Sequence, residues 1–380
     1  MRSPPSSILR ACDGSTEESW SFDEDSRRRR PGACDECDSV RCWVVDSSDP
    51  RKKTASGSWD GFMIDRLFQQ PGLNFLLTNR IPRRATTRLL GWIGRIESPG
   101  FVRFALRIWS VFAPELDLSE AKETEFGSLR ALFIRELRPG SRPVARDPEV
   151  AVSPCDAIVG ACGWMDDDVL IQAKGLVYCL DDLLGNPELV RRHRRGRFVT
   201  LRLKSTMYHR FHAPLDCRVR EVTHIAGDTW NVNPIAIERV QRLFCRNERA
   251  VIPLELAGED LLLTLVPIAA IGVANLRLHC LDATLGLGYS GPTRIACDAR
   301  YEKGQELGWF ELGSTIVVLA GGRFELAEGV REGRAIRVGE PLLTLANARP
   351  APCRSRQGRG IGTEDERVRA SMVPAHVRGG

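Results

Sequence analysis

Beyond Val150 the chain breaks into short apolar runs rich in β-branched residues, and this pattern limits its fold more than any other feature. The runs are Ile158 to Gly163, Phe198 to Leu203, Cys217 to His224, Val251 to Leu256, Asp260 to Ile268 and Thr315 to Leu319, with Gly, Pro, Asn or Asp punctuating them. Runs of this length between turn residues predict strands of a β-dominated domain. Leu180 to Leu184, Pro187 to His193 and Pro234 to Phe244 read as helical interruptions, the last with Asn233 as N-cap and Pro234 at the first helical position. The class is therefore α+β, a β-rich domain preceded by a helical segment.

That preceding segment is unusually one-sided in charge. Residues 66 to 112 carry eight arginines against the single acid Glu97. Leu89, Trp92, Ile93 and Ile96 recur at helical spacing, as do Phe101, Phe104, Ala105, Ile108 and Phe112, with Pro99 and Gly100 between the two runs. Arginine on one face and large apolar residues on the other is the composition of a helix lying in the headgroup layer of an anionic membrane. The plainer alternative is a helical pair that packs on its own domain and solvates its arginines. Arginine also interrupts every apolar run well short of the roughly 18 residues that a spanning helix needs, so a peripheral association is expected.

With 380 residues, 43% apolar, 27% charged and a formal charge of +5, the composition excludes a wholly disordered chain and suggests no nucleic-acid partner. The 12 cysteines are scattered, as reduced thiols in a cytoplasmic setting would be. Cys34, Cys37 and Cys42 have neither a second pair nor a nearby histidine, so no metal is expected. Arg27 to Arg30 sit among twelve acids in the first sixty residues, which fits neither a signal nor a transit peptide. The expected layout is a disordered leader over 1–58, a helical segment over 59–130, a catalytic domain over 131–347 and a disordered tail over 348–380.

Gly286, Gly288 and Gly291 have dinucleotide-type spacing, but Pro292 and Thr293 come next without a strand-turn-helix context, so they read as a loop. No nucleophile elbow, zincin pair or P-loop occurs. Three other segments stand out: Tyr208-His209-Arg210-Phe211-His212-Ala213-Pro214, Ser153-Pro154-Cys155-Asp156-Ala157, and Phe310-Glu311-Leu312-Gly313-Ser314-Thr315. In an extended strand His209 and His212 point to opposite faces, whereas a turn before Pro214 would bring both rings to one cavity; two structural histidines are the plainer alternative. Asp156 alone reads as a turn residue, and Gly313 before Ser314 as a β-bulge.

In order along the chain, these segments resemble the phosphatidylserine decarboxylase family. The likeness runs from about Phe133 to Leu345 and includes Phe133-Ile134-Arg135-Glu136-Leu137, Arg142-Pro143, Gln172-Ala173-Lys174-Gly175, Asn231-Val232-Asn233-Pro234, Asn247-Glu248-Arg249 and Lys303-Gly304-Gln305-Glu306-Leu307-Gly308. It departs at Ala157, where the family usually has glycine, and around Ile268 to Leu276.

Removing carbon dioxide from an amino acid leaves a carbanion that needs an electron sink. The resemblance implies a pyruvoyl group made from Ser314. Its hydroxyl would attack the Gly313 carbonyl, and elimination would cut the chain into a large part, 1 to 313, and a small part, 314 to 380. The two would stay together as a heterodimer, which could assemble further into a higher oligomer. The resemblance also implies an Asp156, His212 and Ser314 triad, with His212 as base and Asp156 holding its ring, and His209 serving the decarboxylation. The implied substrate is phosphatidylserine in an anionic membrane, its amine forming a Schiff base with the pyruvoyl ketone, and the implied product phosphatidylethanolamine. The enzyme would sit on the cytoplasmic face of the cell membrane, burying Trp92, Phe101, Phe104 and Trp109 at the interface.

The alternatives are a pyruvoyl-dependent decarboxylase of a free amino acid and an unprocessed, inactive homologue. A carrier module is disfavoured because there is no lysine after Ser314.

Overall fold

The computed structural model describes residues 82–113, 115–165, 169–173, 176–257, 261–272, 275–311 and 315–346. The expected leader, the first part of the helical segment, the Cys34, Cys37 and Cys42 cluster, the expected tail and the Gly313–Ser314 bond lie outside the described residues.

Seven helices are described: α1 (Arg83–Gly94), α2 (Pro99–Phe112), α3 (Leu129–Phe133), α4 (Leu180–Leu184), α5 (Pro187–His193), α6 (Pro234–Ile237) and α7 (Leu243–Arg246). The early strands are β1 (Val150–Val152), β2 (Ala157–Trp164), β3 (Val169–Ala173), β4 (Leu176–Cys179), β5 (Arg197–Arg202) and β6 (Arg210–His212). Next come β7 (Cys217–Ile225), β8 (Arg249–Leu256), β9 (Leu262–Ile268), β10 (Leu276–Leu278), β11 (Thr284–Leu285) and β12 (Arg294–Tyr301). The last are β13 (Glu306–Phe310), β14 (Thr315–Ala320), β15 (Phe324–Leu326), β16 (Ala335–Ile336) and β17 (Pro341–Leu345). The expected β-rich α+β class is observed, and among the described residues no helix is long and apolar enough to cross a membrane.

An eight-stranded antiparallel sheet, in the order β12-β7-β8-β9-β14-β5-β2-β16, organises the domain. Its strand β14 is buried along its whole length, which explains the unbroken apolar run Ile316 to Ala320. Ile316, Val318 and Ala320 enter one core, shared with the four-stranded sheet β11-β10-β13-β6 and the three-stranded sheet β1-β17-β15. Val317 and Leu319 enter a second core, closed by α4 to α7 and the β3-β4 hairpin. Each such buried side chain contributes roughly 1.5–3 kcal/mol.

The expected helix from Pro234 to Phe244 is broken into α6 and α7. Arg242 takes a left-handed backbone, with φ of 52°. Gln172 of β3 then supplies the missing local bonds: its amide donates to the Ile237 and Val240 carbonyls, and its oxygen accepts from Leu243 N–H.

The N-terminal helices combine both alternatives posed by their pattern. Val102, Leu106 and Trp109 of α2 pack on a small core with Ala121, Phe126 and Leu132. Trp109 also lies against Phe133, ring centroids 5.0 Å apart, so it is held by its own domain rather than turned outward; Phe101 is half-buried. Trp92 and Phe104, at 66% and 61% exposure, face solvent with Leu89, Ile108 and Val111. The pair therefore packs with one stripe and displays another. Arg83 fastens α1 by hydrogen bonds to Asp228 and by stacking 3.7 Å over Trp230.

Gly308 of β13 shows why the motif at 303–308 ends in glycine, because a Cβ there would lie 2.0 Å from the Arg277 carbonyl oxygen of β10. Gly308→Ala should part these strands and cost more than about 1 kcal/mol of stability, read as a lowered urea midpoint at unchanged slope.

Candidate active site

Two backbone segments run side by side near the end of β6. Residues 152–156 leave β1 alongside β6, with Val152 N–H donating to the Pro214 carbonyl and His212 N–H to that of Pro154. Asp156 and His212 are thereby brought to neighbouring positions.

Their side chains, however, have different partners. The Asp156 carboxylate accepts from Arg142 Nε at 2.9 and 3.1 Å, from Arg142 Nη2 at 2.6 Å and from Val338 N–H at 2.9 Å. Arg142 also donates to Glu120, which accepts from Arg337. Burial opposes the Arg142 charge, but its bonds to Asp156 and Glu120 outweigh this and raise its pKa. Ala157 begins β2 with its methyl in the core and without a left-handed backbone, so the departure from glycine costs no strain.

His212 is oriented by Gly304, whose carbonyl accepts from Nδ1–H at 2.9 Å. That fixes Nε2 as the acceptor, 3.1 Å from the Tyr208 hydroxyl, which donates to it. Burial lowers the His212 pKa, opposed by the Gly304 bond and by the charges of Glu306 and Asp156. The ring is a neutral base with its lone pair presented. The expectation that Asp156 holds this ring is not met by a direct hydrogen bond; Gly304 does so, and Asp156 acts on the ring through charge alone.

His209 and His212 remain on opposite sides of the strand, as extended geometry requires, so the turn that would unite them is not formed. His212 shares its side with Tyr208 and Arg210, while His209 shares its side with Phe211. The His209 ring is fully buried edge-on to Phe133, centroids 5.6 Å apart, and neither ring nitrogen has a hydrogen-bond partner among the described residues. Burial, reinforced by the nearby Arg135 charge, pushes its pKa down to about 3. Its carbonyl accepts from Phe310 N–H, which sets it beside the strand leading to residue 313.

Across the sheet end lies a cavity of about 1020 Å³, walled by α1, by Trp109 and Phe133, by Arg202 to Thr206, by Asn231 to Pro234 and by Glu311. Glu311 accepts from Asn275 Nδ2 at 2.6 Å, from Arg130 Nε at 2.8 Å and from Arg95 Nη2 at 3.5 Å. Desolvation opposes its charge, yet these donors prevail and lower its pKa. Ser314 and Gly313 lie outside the described residues; Thr315, the next residue, is buried with its hydroxyl unpartnered. Arg142, Tyr208 and Gly304 are site residues to which sequence reasoning gave no role, although each falls within a recognised motif. No group of three or more potential metal ligands occurs among the described residues.

Comparison with known proteins identifies the family of the chain. Residues 129–344 match the family model for phosphatidylserine decarboxylase. A phosphatidylserine decarboxylase proenzyme of Brevibacillus brevis is 35% identical over 275 residues, covering 70% of this chain and 96% of its own. Proteins of the same name from Halorhodospira halophila and Haemophilus influenzae are 36% and 32% identical, covering 70% and 69% of this chain and 92% of each relative.

Burial of neutral imidazoles has a measurable consequence for stability. His209 and His193 are both held down to about 3 by burial, whereas in the unfolded chain a histidine titrates near about 6.5. The unfolded state thus binds more protons between these values. Both groups favour the folded chain fully above pH 6.5, and that share is lost as pH falls, by about 1.4 kcal/mol per pH unit per histidine. Urea unfolding of His209→Gln between pH 7 and 4 should show a shallower acid slope than the unaltered chain by one histidine's worth; an equal slope would refute the neutral ring.

Proposed function

Because the chain belongs to the phosphatidylserine decarboxylase family, a family of carboxy-lyases, we propose that it cleaves itself between Gly313 and Ser314 and then converts phosphatidylserine to phosphatidylethanolamine. The observation that carries this reading is the combination of the family match over 129–344 with a neutral, pre-oriented His212. The proenzyme names of the relatives agree with a chain that is processed.

In the processing step His212 Nε2 takes the proton of the Ser314 hydroxyl, displacing the Tyr208 hydroxyl from its lone pair. The Nδ1–H bond to Gly304 keeps the ring in the tautomer this requires. Asp156, hydrogen-bonded to Arg142, acts through space to stabilise the imidazolium as it forms. Glycine at 313 removes the Cβ that would crowd the attacked carbonyl.

The pyruvoyl group supplies the sink for the electron pair left when carbon dioxide departs. The residues around the processing segment fit such a group, since the His209 ring and the Thr315 hydroxyl are buried polar groups left without partners. As a neutral imidazole His209 donates at one nitrogen and accepts at the other, so it orients substrate and passes a proton without carrying a charge of its own. Phe133 and Trp109 exclude water from its side of the cavity.

The lipid tails remain in the bilayer. Leu89, Trp92, Phe104, Ile108 and Val111 form the exposed apolar stripe that would enter the headgroup layer, and the exposed Arg84, Arg88, Arg103 and Arg107 attract anionic lipid. The enzyme is then peripheral, on the cytoplasmic face of the cell membrane, and works as a heterodimer of its own two chains.

Two experiments test this. Mass spectrometry of the purified protein should find a small chain starting at residue 314 with a pyruvoyl group in place of an amino terminus, and Ser314→Ala should remain one full-length band; an uncleaved unaltered chain refutes the processing. Binding to phosphatidylserine vesicles should be lost in high salt and when Arg84, Arg88, Arg103 and Arg107 become glutamate. Unchanged binding, or activity on free amino acids in preference to vesicles, overturns the lipid assignment.

A further inference from the structure

The cavity wall contains several cations, and most of them are already committed. Arg95 and Arg130 pair with Glu311, and Lys204 with Glu115. Arg88 projects from α1 in an exposed position, where water solvates it. Arg202 differs from all of these. It is the last residue of β5, half-buried, and has no hydrogen-bond or ion-pair partner among the described residues. Burial lowers its pKa, and Glu332 offsets this only through space.

Its position is informative. Arg202 is the cross-strand partner of Thr315, the residue after Ser314, so the two side chains leave the same face of the sheet. Opposite residues in an antiparallel pair lie about 4.5–5.5 Å apart between Cα atoms. On this face the second core, with Val317 and Phe198, gives way to the cavity. A half-desolvated guanidinium with no anion in contact among the described residues, and only Glu332 acting on it through space, one strand away from the reactive position, has room for an anionic partner.

Accepting that residue 314 becomes the reacting centre and that a serine phospholipid is the substrate, we propose that Arg202 holds the phosphodiester of the lipid headgroup through its planar fork of N–H donors. The headgroup offers a second anion, the carboxylate, but gripping it would work against the reaction. That negative charge leaves the carboxylate as carbon dioxide forms, so a guanidinium clamped on it stabilises the ground state more than the transition state. The phosphodiester keeps its charge throughout, and holding it positions the amine without raising the barrier. It is joined to the serine Cβ through one ester oxygen, which places it within a side chain's reach of a residue beside the reacting centre. The phosphodiester also marks the boundary between headgroup and lipid, so Arg202 reads a phospholipid against a free amino acid.

Arg202→Gln and Arg202→Lys test this, each first checked for chain cleavage on a denaturing gel. Failure of the unaltered protein to cleave would sink the parent reading and with it this premise, whereas the binding measurements below bear on Arg202 itself. In cleaved Arg202→Gln, affinity for glycerophosphoethanolamine, which has the phosphodiester but no carboxylate, should fall about tenfold or more. KM for vesicular phosphatidylserine should rise in parallel with kcat little changed, L-serine binding should be unaltered, and lysine should restore part of the loss. Unchanged affinity for glycerophosphoethanolamine overturns the proposal, as does a loss confined to L-serine, which would assign Arg202 to the carboxylate. Should the glutamine variant stay uncleaved, the lysine variant decides by the same probe: weakened binding supports the phosphodiester contact and unchanged binding refutes it.

Discussion

The domain depends on β14 being buried on both faces and hydrogen-bonded along both edges. It pairs with β5 and β9 from Thr315 to Ala320, so every ladder position from the residue after Ser314 onward is anchored. A break in the backbone before Thr315 would therefore leave the C-terminal piece in place. Beyond β14, β16 stays paired with β2 and β17 with β1, so that piece contributes strands to two sheets. The proposed chemistry asks for a severed peptide bond beside a rigid site, and the interior of a large sheet meets both demands because the cost of unfolding greatly exceeds the loss of one covalent link.

The buried charges obey a related constraint. Asp156 is satisfied by Arg142 and a backbone N–H, and Glu311 by two arginines and an asparagine amide. Asn247 and Arg249 direct their donors to backbone carbonyls, Arg249 reaching Leu183, Cys245, Asn247 and Asp182. These residues make irregular connections rigid. Several buried polar atoms lack a partner among the described residues, the Tyr178 and Thr200 hydroxyls among them, but the His209 ring and the Thr315 hydroxyl are the ones that neighbour the segment where the chemistry is proposed.

How much of the fold is legible in the sequence depends on how local each interaction is. Leu180–Leu184 and Pro187–His193 are legible because their ends are set locally: Asn186 accepts from Glu188 and Leu189 N–H with Pro187 at the first position. The break between α6 and α7 is not legible, because Gln172 causes it from another element. Strand β12 escapes recognition because Ile295 is its one β-branched residue and charges interrupt it: it is an edge strand whose Arg294, Ala296, Asp298 and Arg300 face outward. At the site the residue types are legible and their partners are not. Arg142 and Gly304 both lie in recognised motifs, but nothing in their spacing says that one holds Asp156 and the other His212. Trp109 shows the converse failure, since a helical stripe records which residues are apolar but not which of two surfaces they meet.

The two-sided character of α2 also bears on how lipid would reach the site. One stripe is fixed to the domain through Val102, Leu106 and Trp109, while the other remains exposed. Arg95, just past α1, and Arg130, on α3, converge on Glu311, the residue that follows β13. Arg95 and Arg130 thus tie the helical segment by charge to Glu311, and α1 and Glu311 both wall the cavity. On the proposed reading, a pocket walled by α1 and the sheet end would let a headgroup enter while its acyl chains stayed in the membrane. For such a substrate, extraction into water would expose two long hydrocarbon chains at about 0.8 kcal/mol per CH₂. An active site that draws in only the polar end avoids that cost, and it needs a membrane-facing opening more than it needs a deep lipid channel.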